Sequence, residues 1–185
     1  RADELGVLEK LNPYLKADDW LTDKFAEVWD THETDNPDPY LYLALLCYRL
    51  IPADANKLIA YLHLPKTAAE IIKDTLTIKE RIKELSLPGQ APSVIYDILN
   101  GFSTIAYEAN LIASSSETAG EHIELFLNVL KHVRPALTGD DLKKLGVPRG
   151  PKIKEALRQL REARLDGYIE DKAGEVDWVK RRLTS

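Results

Sequence analysis

Apolar side chains recur every three or four positions along most of this 185-residue chain, the spacing that gathers them on one face of an α-helix. A first segment of this kind runs from Leu5 to Leu15. Asp18–His32 then sets Leu21, Phe25, Val28 and Trp29 at helical spacing, and Asp18 or Asp19 can cap its start. The run ETDNPDP at 33–39 breaks the pattern. Tyr40–Leu50 resumes as a strongly apolar helix that stops at Pro52, and Ala53–Leu62 is a short helix closed by His63-Leu64-Pro65. Thr67 is read as the cap of a long helix carrying Ala68, Ile71, Ile72, Leu76, Ile82 and Leu85.

Leu87-Pro88-Gly89-Gln90 forms a turn, after which Ser93–Leu99 and Phe102–Ile112 form an angled pair separated at Asn100-Gly101. Ser114–Ser116 is a polar break. Glu117–Val133 is amphipathic through Ile123, Phe126, Leu127 and Leu130, and Pro135 ends it. A short helix, Asp140–Leu145, is closed by Gly146, and another begins near Pro151. No alternating strand pattern, internal repeat or low-complexity tract interrupts this series. The expected fold is all-α, a compact array of short and medium helices joined by short connections. Residues 1–134 form a helical body and 135–185 a helical tail, with Ser114–Glu117 as a second place for a division.

Composition narrows the class. With 44% apolar and 30% charged residues the chain is that of a soluble globular protein. Its longest apolar run, LYLALLCY at 41–48, falls far short of the roughly 20 residues a membrane span requires and reads as a core helix. Arg1-Ala2-Asp3-Glu4 is a charged opening unlike a signal peptide, and the absence of Met fits a fragment of a longer chain. The single cysteine, Cys47, is expected to be a buried thiol of a cytoplasmic protein. The net charge of −5 conceals an asymmetry. Residues 1–134 hold 13 Lys/Arg against 21 Asp/Glu, whereas 135–185 hold 12 against 9. Within 143–164 eight basic residues face only Glu155 and Glu162.

Catalytic patterns are missing. His32, His63, His122 and His132 form neither HxxxH nor HExxH, and Cys47 has no base beside it. Gly139, Gly146 and Gly150 lack the strand and the GK[ST] sequence of a phosphate loop. Asp18-Asp19, Asp35/Asp38 and Asp140-Asp141 suit helix caps and turns rather than a strand-borne metal site. No catalytic and no metal-binding residue is assigned.

The basic tail carries the binding chemistry. Ile153, Leu157, Leu160 and Leu165 can face a core, while Lys154, Arg158 and Arg161 follow at i, i+4 and i+7 on an adjoining face. At about 1.5 Å per residue these three span roughly 10 Å, the reach of adjacent phosphates. Lys143, Lys144, Arg149 and Lys152 stand just upstream. Arg149 and Gly150 precede a helix start whose free N–H groups also suit phosphate. The competing readings are a solvated face neutralised by Glu155 and Glu162, or a helical protein-interaction module working through the acidic body. Tyr168 and Trp178 are read as packing residues, so an RNA partner would be recognised by duplex backbone and shape.

Thr138-Gly139, Asp141-Leu142, Leu145-Gly146, Gly150-Pro151, Leu157, Leu160, Ala163 and Leu165-Asp166-Gly167 follow the pattern tGxDLxxLGxxPGPxxGxxLxxLxxAxLdG, with Glu175 and Val179 beyond it. In this the chain resembles the C-terminal RNA-binding region of bacterial CCA-adding and A-adding tRNA nucleotidyltransferases, a family that includes bacterial poly(A) polymerases. LPGQAPSVIYDILNGFSTIAYEANLIA at 87–113 resembles the helical body of the subset fused to CBS and DHH domains. Two positions depart from the pattern: Arg149 replaces a proline and Lys154 a glycine.

The resemblance implies a module that docks the acceptor and T arms of tRNA, or the RNA of a poly(A) polymerase, without transferring nucleotides. It places Mg²⁺ and ATP or CTP on a catalytic head absent from these residues, with that head and the regulatory domains as partners in the same parent chain. This chain itself is expected to hold no cofactor.

Overall fold

Residues 15–31 and 36–183 are described by a computed structural model. The candidate helix Leu5–Leu15 lies outside them except for Leu15, as do His32 and the first part of the turn at 33–39. Among the described residues there are ten α-helices, one 3₁₀ turn and no strand. The start signals explain most of these helices. Asp18 accepts from the Leu21 amide at 3.3 Å to open α1 (Asp19–Thr31), and Asp38 accepts from Tyr40 at 2.8 Å to open α2 (Pro39–Cys47). Proline occupies the first turn of α2, of α3 (Pro52–Tyr61) and of α5 (Pro92–Leu99), where its missing N–H costs nothing.

Three boundaries differ from the sequence reading. α4 (Lys66–Leu85) starts directly after Pro65, so Thr67 lies inside the first turn and does not cap it. α2 stops at Cys47, and Tyr48 to Leu50 tighten into i→i+3 bonds that bury Leu50. α7 (Glu117–Asn128) gives way to the 3₁₀ turn Leu130–His132, which buries Leu130 and ends with Val133 N–H bonded to the Leu130 carbonyl. α6 is Thr104–Ala113.

By its contacts the chain divides into residues 1–88 with 101–123, and 89–100 with 124–185. The charge boundary at 134/135 is a different division.

In the first unit α4 is shared by two apolar clusters. Ile71 joins Leu21, Val28, Leu41, Leu45 and Ile112, while Ile72 and Leu76 join Leu15, Cys47, Leu50 and Leu58. Asn110 is fully buried there, and its amide donates to the Thr75 and Ala106 carbonyls at 3.0 and 2.8 Å. Burial pushes the Cys47 thiol up to about 12, so it stays protonated and unreactive. At the margin Arg49 binds Asp18 at 2.6 Å and lies 4.8 Å from the Trp20 ring centroid, which fastens the segment leading into α1.

In the second unit α8 (Gly139–Lys144), α9 (Pro151–Leu165) and α10 (Lys172–Leu183) enclose Leu137, Leu142, Val147, Leu160, Ala163, Ile169 and Val179. α5 joins them for a specific reason. Its N-cap position is Ala91, which offers no side-chain acceptor. The carboxylate of Asp166, at the end of α9, accepts instead from the Ser93 amide at 2.9 Å and the Ser93 hydroxyl at 2.8 Å. A helix cap is thus supplied from a distant stretch of sequence.

Candidate nucleic-acid interface

The basic segment owes its shape to its helix ends. Thr138 and Asp141 form a reciprocal capping box that opens α8: the Thr138 hydroxyl accepts from the Asp141 amide, and Asp141 accepts from the Thr138 amide at 2.9 Å. Those hydrogen bonds from Thr138 hold the Asp141 carboxyl below the ordinary aspartate range. At the other end Gly146 N–H bonds to the Lys143 carbonyl and Val147 N–H to that of Leu142, a Schellman closure. Gly150 follows at φ 95° and ψ −139°, a region open in practice to glycine alone, and Pro151 then starts α9. α8 and α9 also approach closely, since a Cβ on Gly139 would stand 3.3 Å from Ile153.

This frame brings some of the eight basic-segment residues together and redirects others. Lys144, Arg149, Gly150, Lys152 and Lys154 are exposed around the turn and the start of α9. None of the four cations is held in an ion pair among the described residues. Lys143 is exposed but pairs with Asp140 at 2.7 Å, and this bond lowers the Asp140 pKa. Arg158 is clamped by Glu155 at 2.7 Å and by Glu162, and the Glu155 hydrogen bond raises its already high pKa.

Arg161 corrects the expectation of one open stripe along α9. It is half-buried, donates to the Tyr96 hydroxyl at 2.9 Å and sits 5.3 Å from that ring's centroid. The helical spacing is as expected, but α5 packs against the second half of the same face. Within the basic segment, open cations are therefore concentrated at the α8–α9 turn.

The sequence reading also missed a feature. Tyr168, taken as a packing residue, is 81% exposed. Gly167, at φ 74°, lets α9 end in a second Schellman closure, with Tyr168 N–H on the Ala163 carbonyl at 2.8 Å. Such closures often fold the next side chain back onto the helix. Here Ile169 takes the buried position instead. The signal was present in Leu165-Asp166-Gly167, which marks a left-handed exit from the helix.

Trp178, half-buried on α10, is covered by Arg182 at 4.0 Å from its ring centroid, and Arg182 is itself held by Gln159 at 2.7 Å. Beneath the turn at 146–148 this pair lines a groove of about 500 Å³.

Acid–base and metal chemistry find little here. Among the described residues no group of three His, Cys, Asp or Glu lies together where it could hold a metal ion. The carboxylates of the basic segment are committed to caps and ion pairs, so its donor set does not fit the Mg²⁺ that nucleotide transfer implies. His122 spends Nδ1 on the Leu85 carbonyl at 2.8 Å. No described helix is long and apolar enough to cross a membrane.

Fold and surface together define an all-helical protein with a rigidly capped, cation-bearing turn. Over 75 residues it is 35% identical to the A-adding tRNA nucleotidyltransferase of Geobacter sulfurreducens, a match that takes in 40% of this chain and 8% of that relative. No protein-family profile matches the chain. No solved structure matches it either. It is thus a helical protein distantly related to that nucleotidyltransferase family.

Proposed function

We propose that the tail, residues 135–185, docks the sugar–phosphate backbone of tRNA along its acceptor and T arms, as the RNA-binding part of a tRNA 3′-end nucleotidyltransferase. The observation that carries this reading is the cluster of Lys144, Arg149, Lys152 and Lys154, exposed and unpaired around a turn fixed by Gly150 and the α8 caps. Fixed cations suit a fixed ladder of phosphates, because little side-chain and loop freedom is lost on binding. Relationship to an A-adding enzyme makes tRNA the polyanion of choice. Nucleotide addition with Mg²⁺ and ATP or CTP belongs, in this reading, to residues other than these.

Titration of the full chain with tRNA at several salt concentrations tests it. Changing Lys144, Arg149, Lys152 and Lys154 together to Gln should weaken binding. The slope of log affinity against log salt should flatten by roughly 0.7–0.9 for each phosphate no longer neutralised. Arg158→Gln and Arg161→Gln should flatten it less, since the first charge is already matched and the second is packed on Tyr96. An unchanged slope in the folded quadruple variant would reject the reading and favour a protein partner for the acidic body.

A further inference from the structure

Tyr168, Trp178 and Arg182 have no part in the backbone recognition just described, yet they stand on one face of the second unit. Trp178, Arg182 and Gln159 line two hollows. One, of about 500 Å³, continues under Val147 and Pro148 with Lys152 beside it. The other, of about 290 Å³, extends to Tyr168 and Asp166. The first falls within the roughly 300–1,000 Å³ typical of small-ligand sites.

Their chemistry favours a flat, uncharged ring over an anion. A guanidinium already lies on the indole at 4.0 Å and is fixed by Gln159, so its outer face presents a preset planar cation. Glu155, Glu162 and Asp166 border the hollows and disfavour a phosphate inside them, whereas a neutral base carries no charge for them to repel. Lys152, exposed and without an ion pair, can take the phosphate outside the first hollow. Tyr168 offers a bare aromatic face at the far end, with 81% of its surface in water.

We infer that this face binds unpaired nucleotides of RNA, one base stacking on the Arg182–Trp178 pair and another on Tyr168. Stacking tolerates any base, since each has a π-face, so the site selects single-stranded over duplex RNA rather than one sequence. This goes beyond the backbone reading, which needs no base recognition, and it rests on that reading only in taking RNA as the ligand.

The experiment uses the full chain and three probes: a short single-stranded oligoadenylate, a blunt RNA hairpin and tRNA. Tyr168→Ala and Arg182→Ala should each weaken oligoadenylate binding about tenfold, the scale of removing one stack. Tyr168→Phe should retain it. Hairpin affinity and salt slope should stay at the parent values in all three variants, with circular dichroism confirming the fold. Binding of oligoadenylate should quench Trp178 emission, a change that Trp178→Phe removes.

Unchanged oligoadenylate affinity in folded Tyr168→Ala and Arg182→Ala overturns the stacking site. Failure of the parent chain to bind oligoadenylate, with tRNA still bound, overturns it and leaves the backbone reading standing. Binding of oligoadenylate with loss only in the stacking variants, and no binding of the hairpin, supports the site and removes the backbone reading instead.

Discussion

The two units bury charge to different depths. The first is strongly acidic, with 11 Lys/Arg against 19 Asp/Glu over 1–88 and 101–123, yet its interior is almost wholly apolar. Its fully buried polar side chains, Thr75 and Asn110, are neutral, and its structural charges keep access to water: Arg49 on Asp18, Lys79 on the Tyr48 carbonyl and Asp74 on the Ser103 amide. The second is basic, with 14 against 11 over 89–100 and 124–185, and it builds charge into its framework. Glu175 is fully buried and accepts from the Ala136 amide at 2.8 Å, the Leu137 amide at 2.7 Å and Arg164 at 2.8 Å. Asp166 caps α5, and Arg161 packs on Tyr96. Counting basic residues thus overstates the cationic surface of the second unit, because several of those charges are structural parts.

The sharpest way to break this contrast is Glu175→Ala. It strands two amides and Arg164, and removing one partner of a buried pair costs roughly 3–5 kcal/mol, here toward the lower end because Arg164 keeps some exposure to water. Urea unfolding followed by circular dichroism should shift to lower denaturant. Asp18→Ala, at the solvated pair of the first unit, should shift unfolding far less. Equal shifts would mean that the two units do not differ in this respect.

A second comparison lies within α9. Leu160 is fully buried, so Leu160→Ala should cost about 2–5 kcal/mol. Leu157, only half-buried, should cost clearly less. A reversed order in the same unfolding measurement would misplace the core face of the helix.

The smallest effect concerns acid. Asp141 is held low chiefly by its Thr138 backbone hydrogen bond and Asp18 by its hydrogen bond to Arg49. A depressed folded pKa adds stability above the unfolded value, near 3.9, and that stability is lost as pH falls through the folded value. Asp141→Asn should flatten the acid-side decline of the second unit and Asp18→Asn that of the first. Urea midpoints measured from neutral pH down to the acid limb check both.

Much of the fold was legible because its signals are local. Apolar spacing, the prolines at helix starts and the Thr138–Asp141 box act within a few residues, and the helices appear where those signals place them. Thr67 failed as a cap because Pro65 had already fixed the start of α4. The basic segment was legible as composition, and the exposed cations at the α8–α9 turn were among those named. What could not be read was the covering of one face by a distant helix. Nothing near Arg161 shows that Tyr96 will lie over it, and nothing near Tyr168 except its glycine turn shows that it will stand in water. Glu175 was noted only as part of a motif, since a buried carboxylate and an exposed one are the same letter.

The bond between Asp166 and Ser93 also sets a schedule for making the protein. The two residues are 73 positions apart, and a ribosome adds about 5–20 residues each second. For roughly 4–15 s after Ser93 is made, the start of α5 therefore waits with its first amides uncapped while the residues up to Asp166 are synthesised. During that interval Tyr96 lacks Arg161, its partner from α9. Until the last turn of α9 is made, this stretch of the nascent chain keeps in water apolar surface that the folded protein buries.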